Sequence, residues 1–85
     1  MSIEVRPVDV RITTDGNRVI GQDVLSDGTT SIIKQEIGRG KTPEHAAVLA
    51  AIYQDPVLMV YVATGAIGQE EIDIAAEELR NQRNR

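Results

Sequence analysis

The stretch Thr13-Thr14-Asp15-Gly16-Asn17-Arg18-Val19-Ile20-Gly21-Gln22-Asp23-Val24-Leu25-Ser26-Asp27-Gly28 carries two Asp-Gly pairs, twelve residues apart, each flanked by β-favouring residues. Asp-Gly signals a hairpin because tight turns need positive φ, which glycine and aspartate adopt at low cost. Two such turns predict a three-stranded antiparallel meander over residues 3–37. In the first hairpin, a three-residue loop Asp15-Gly16-Asn17 sets Ile12 opposite Ile20 and Val8 opposite Val24, whereas a two-residue loop sets Val8 against Asp23. The three-residue loop is therefore expected. In the second, a two-residue Asp27-Gly28 loop sets Gln22 opposite Ile33 and Val24 opposite Ser31. The inner face is then Val8, Val10, Ile12, Ile20, Val24, Ile33 and Ile37. Val19, Leu25 and Ile32 fall on the outer face, among Asp9, Arg11, Asp23, Lys34 and Glu36.

Upstream, Ile3 and Val5 alternate in one phase and Val8, Val10 and Ile12 in another, with the slip at Pro7. A strand cannot keep one face buried across a slip, and proline cannot donate to a ladder. A bulge or break is expected near Pro7, with this strand at a sheet edge.

Downstream the grammar becomes helical. Gly38-Arg39-Gly40 ends the sheet, Thr42 is an N-cap, Pro43 suits the first helical position, and Glu44 lies in the first turn. Val48, Leu49 and Ile52 recur at helical spacing, so residues 43–54 are expected as helix. Asp55-Pro56 repeats the cap signal before Val57-Leu58-Met59-Val60-Tyr61-Val62-Ala63-Thr64, whose composition suits a strand and whose flanks suit a helix. Helix over 56–64 is preferred. This segment is apolar all round, which marks it for a core or an interface. Residues 69–83 form the clearest helix, with Ile72, Ala75, Ala76 and Leu79 on one stripe, acids at its start and arginines at its end. The expected fold class is α+β: a three-stranded meander followed by two or three helices packed on one face. One domain spans residues 1–85, with a Gly-rich loop at 38–42, a helical part at 43–83 and a frayed tail at 84–85.

Composition sets the constraints on function. The chain has no Phe, Trp or Cys, and its only aromatic residues are Tyr53 and Tyr61. An aliphatic core without large rings, in 85 residues, invites burial against a partner. The net charge of −4 argues against general nucleic-acid binding, which needs clustered cations. The absence of cysteine excludes thiolate chemistry and cysteine-held metals. With neither a signal peptide nor a membrane span in sight, the expected location is cytoplasmic, of a cell or of an infected host.

Two stretches resemble known small modules. The order of sheet, Gly-rich loop and helix opening at Thr42-Pro43-Glu44-His45-Ala46 looks like the ββ(β)α modules of antitoxins and phage inhibitor proteins. Ala63-Thr64-Gly65-Ala66-Ile67-Gly68-Gln69-Glu70-Glu71 is similar to the turn of SHOCT-type helical hairpins, which usually carry Ser or Thr where this chain has Gly68. Neither resemblance carries a functional residue onto this chain.

Four groups of residues are candidate sites. Gly38 to Thr42 joins a strand to a helix N-terminus. There, free N–H groups and the charges of Arg39 and Lys41 attract anions, so Arg39, Gly40, Lys41, Thr42 and His45 are the candidate ligand-binding residues. Gly40-Lys41-Thr42 resembles the end of a phosphate-binding P-loop, but Gln35 stands where that motif needs its first glycine. A simple connector is the plainer interpretation. His45, the single histidine, flanks the apolar stripe 48, 49, 52 and is expected to pack there. The acids Glu70, Glu71, Asp73, Glu77 and Glu78 fit a solvated helix face or a patch for a basic partner better than a metal site. Tyr53, Leu58, Met59, Tyr61 and Val62, with Glu70 and Glu71, are the candidate interface. No catalytic residue, cofactor or metal is expected. The expected function is that of a small non-catalytic interaction protein: an adaptor or inhibitor, of the kind phages also encode, that binds another protein as a homo-oligomer. The alternative is an oligomer that sequesters an anionic, nucleotide-type ligand at the Gly38–Thr42 loop.

Overall fold

The computed structural model describes residues 4–84. Ile3, placed above in the first strand, lies outside the described residues. Three strands precede three helices: β1 (Pro7–Asp15), β2 (Arg18–Leu25), β3 (Thr30–Arg39), α1 (Pro43–Gln54), α2 (Pro56–Ala63) and α3 (Gln69–Arg83). The strands form one antiparallel sheet in the order β1-β2-β3, an α+β meander followed by helices.

Both hairpins turn differently from expectation. The first closes on Gly16-Asn17, with Asp15 paired to Arg18, and Gly16 alone takes positive φ, at 59°. A two-residue turn with glycine first and φ positive only there has the signs of type II′. The second turn is the longer one. Gly28 N–H donates to Leu25 O, Leu25 N–H donates to Thr29 O, and Gly28 sits at φ 87°. This is a three-residue loop, Ser26-Asp27-Gly28, with glycine in the left-handed position. The Asp27 carboxylate braces it by accepting from the Thr29 N–H at 3.0 Å and the Thr29 hydroxyl at 2.6 Å.

That one-residue change of register moves residues between faces. Ile12 lies opposite Gly21 and Thr14 opposite Val19, so Val19 shares a face with Ile12, while Ile20 and Val24 lie on the other. Val19, expected outside, is fully buried, and it forms the core with Ala46 and Ala50, flanked by Ile12, Leu49 and Tyr53. Ile20 is buried on the far face beside Thr13, Arg18, Lys34 and Glu36. Long polar side chains can cover an apolar neighbour with their methylene stems. The expected irregularity at Pro7 is present: register shifts between Pro7 and Asp9. β1 is also an edge strand. β3 shifts register twice against β2, leaving Ile37 unpaired between Glu36 and Gly38.

The helices follow their sequence signals closely. Thr42 accepts the His45 N–H at 3.1 Å as N-cap of α1, and Asp55 accepts from the Val57 and Leu58 N–H groups as N-cap of α2. The segment from Pro56 to Ala63 is helical. Only α1 touches the sheet among the described helices, while α2 and α3 pack on α1. The alanines of α1 let its backbone approach Val19. α3 seats Ile72 and Ala76 in buried positions. α2 leaves α1 at 105° and buries no residue. Among the described residues, no single helix is long and apolar enough to cross a membrane.

Candidate interaction surface

The loop before α1 is tightly built. Gly40 is buried, its N–H donates to Asn17 O at 2.7 Å, and a Cβ on it would lie 2.4 Å from Ala46 N. The Lys41 N–H donates to His45 Nδ1 at 2.9 Å, and the Ala46 N–H donates to Thr42 O at 3.0 Å. The N–H groups of Gly40, Lys41, His45 and Ala46 therefore already have protein acceptors. Arg39 points to Glu36, its Nη2 2.8 Å from Oε1. Lys41 Nζ lies 3.9 Å from the Asp73 carboxylate. A hollow of about 170 Å³ is lined by Lys41, Thr42, His45, Asp73, Glu77 and Arg80, in which two cations face two acids. Lys41, Thr42 and His45 thus share one hollow and Arg39 stands outside it. Charge balance and occupied donors give an anion little to bind.

His45 is buried in the packing beside Ala76 of α3. Its Nδ1 accepts from Lys41, and its Nε2 lies 3.4 Å from the Gln69 side-chain amide, which also donates to Asp73 at 3.0 Å. The histidine therefore ties the loop to α1 and α3. Among the described residues, no three His, Asp or Glu side chains converge as metal ligands. Glu71 accepts the Gly68 N–H at 2.9 Å and so supports the start of α3, while Glu70 is exposed.

The candidate interface divides in two. Tyr53 is half-buried and lies over Gly38, where an added Cβ would sit 3.0 Å from the ring. Leu58 is half-buried on α2. Met59, Tyr61 and Val62 are exposed, as are Val57 and Val60. Val57, Val60 and Tyr61 recur at i, i+3 and i+4, so they form one outward stripe, with Leu58 and Val62 on the side toward α1.

A second apolar surface lies on the sheet, beside α1. Val10, Ile33 and Ile37, expected in the core, are 49%, 65% and 42% exposed. They line a hollow of about 230 Å³ with Gly21, Asp23, Ser31 and Gln35. Gly21 lets the two edges converge, since a Cβ there would meet Ile37 Cγ2 at 3.1 Å and Val10 Cγ1 at 3.6 Å. These side chains lie on the face their alternation assigns, with Ile12, and α1 covers only part of that face. The available signal was length: three strands of eight to ten residues are wider than one twelve-residue helix can shield.

Compared with protein-family models, with curated proteins and with solved structures, the chain matches none of them.

Proposed function

We propose that this chain is a non-catalytic protein-binding module, an adaptor or inhibitor in kind, that works as a homo-oligomer. The observation that carries this is surplus surface. A compact chain of 85 residues has a radius of gyration of about 12 Å, whereas this one has 15.4 Å and extends 54 × 30 × 18 Å. Its accessible surface is 6286 Å², against about 5,000 Å² for a compact monomer of its mass. The surplus is apolar where it matters, on α2 and on the open part of the sheet. The acidic start of α3, with Glu70 exposed, suits contact with a basic partner protein. Sequestration of an anionic ligand at the Gly38–Thr42 loop gains no support from this geometry, because the N–H groups of Gly40, Lys41, His45 and Ala46 are bonded within the protein and Arg39 is paired with Glu36.

Light scattering of the purified chain tests the first half of this function. The expected mass is a multiple of 9.3 kDa that persists at micromolar concentration. Affinity capture from native lysate, with and without Glu70→Lys, tests the second half. A chain that stays monomeric at every concentration and captures no protein would overturn the proposal.

A further inference from the structure

We infer that α2 of one copy docks on the open sheet face of a second copy, reciprocally, through Val57, Val60 and Tyr61 on one side and Val10, Ile33 and Ile37 on the other. This rests on the homo-oligomer proposed above and goes further by naming both surfaces. The sheet needs a second helix. A sheet face is stable when helices or another sheet cover it, and here α1 covers only the end around Ile12, Val19 and Gly38. The chain's own helices do not supply the rest. α3 lies on α1, and α2 points away at 105° from a one-residue joint. Asp55 holds that joint in extended conformation, its N–H bonded to Ile52 O and its carboxylate bonded to the start of α2. Thus α2 is apolar, lacks any charge from Pro56 to Ala63, and is kept off its own sheet.

The areas agree with a pair of copies. The roughly 1,300 Å² of surplus surface exceeds the approximately 800 Å² that each partner contributes to an ordinary stable interface. Reciprocal seating about a two-fold axis closes the assembly and covers both surfaces of both copies at once. At the β1 edge, pairing by strand addition is the poorer route. Along the β1 edge, the Val10 N–H is taken by Asp9 Oδ1 at 2.8 Å and Ile12 O by the Gln54 amide at 2.9 Å, with Pro7 at the strand's start. The hollow's rim of Ser31, Asp23 and Gln35 stays polar around an apolar centre, as interfaces do.

The cysteine-free chain allows a direct test. Full-length Val60→Cys and Ile33→Cys variants are mixed and oxidised mildly. Dimers are then separated without reductant and their disulfides mapped by peptide mass. Both positions are exposed, at 57% and 65%, so neither substitution threatens folding. The expected product is the mixed disulfide between the two variants, in several-fold excess over either homodisulfide, with a native mass of two chains. Val57→Cys, one turn away, supplies a second pair with Ile33→Cys. A dimer by light scattering that yields no mixed disulfide from either pair would overturn this docking geometry and leave the oligomer standing. A native mass beyond two chains, by light scattering, would overturn reciprocal closure. A monomer at every concentration would remove both this inference and the proposal beneath it.

Discussion

Three residues show how single side chains, or the lack of one, set this structure. Gly40 has no room for a Cβ, because Ala46 N would stand 2.4 Å away. The obstacle is backbone at the first turn of α1, so neither partner can yield without moving the helix off the sheet. Gly40→Ala is expected to cost about 1–3 kcal/mol, at the upper end, read as a lowered urea midpoint. Gly16 differs, since it has open space around it and φ of 59°. Its replacement by alanine should cost about 1–2 kcal/mol through backbone strain alone. Asp27 gives a pH signature. The Thr29 hydroxyl, and then the Thr29 N–H, stabilise the carboxylate and hold its pKa below the ordinary 3.8. A group with a depressed folded-state pKa adds stability above its unfolded pKa and loses it as pH falls through the folded one. Asp27→Asn should therefore weaken the chain at neutral pH, and the gap to wild type should close in acid below about pH 3.8. Urea midpoints of both chains across that range check the sign. A gap that widened in acid would show that the charge does not brace the turn.

At the scale of elements, α2 is the weakest helix and depends most on its cap. Eight residues cannot hold a helix in water unaided, and none of these is buried. Asp55→Ala removes the acceptor of the Val57 and Leu58 N–H groups, a loss of about 1 kcal/mol. Hydrogen exchange should speed up across 56–63 while the amides of β2 stay protected, because β2 is paired on both sides. Uniform acceleration in both would mean that Asp55 supports the whole fold and not only its joint. Helix limits were legible in the sequence because their signals are local: Thr42-Pro43 and Asp55-Pro56 each mark a start, and Gly65 marks an end. Hairpin register was not. Asp15-Gly16-Asn17 contains two good turns one residue apart, and adjacent Val19 and Ile20 offer an apolar side chain to either face. The choice fell to tertiary packing, since only Val19 meets Ala46 and Ala50. The candidate interface was half legible for the same reason. Met59 and Tyr61 declared themselves on an all-apolar helix, whereas the exposure of Val10, Ile33 and Ile37 depends on how far α1 reaches across the sheet.

For the whole molecule, the physical question is whether folding and association are one event. The buried aliphatic set is small: Val19, Ala46 and Ala50 in one cluster flanked by Ile12, Leu49 and Tyr53, and Ile20, Ile52, Ile72 and Ala76 besides. Burying a valine or leucine contributes about 1.5–3 kcal/mol, and alanines give far less, so the isolated subunit has little reserve. An interface that covers α2 and the sheet adds its free energy to the folded state only, and its effect follows mass action. A tenfold rise in concentration strengthens a dimer by about 1.4 kcal/mol, or half of that per chain. For a chain of 85 residues that shift corresponds to an increase in Tm of about 3–5 °C. Val60→Asp places a charge in the centre of the α2 stripe without touching the core, since Val60 is 57% exposed. Its secondary structure at high concentration should stay native, while its Tm should be lower and independent of concentration. Calorimetry over two decades of concentration distinguishes the cases. If the wild-type Tm does not move with concentration, the small core is sufficient by itself and the exposed aliphatic surface contributes nothing to stability.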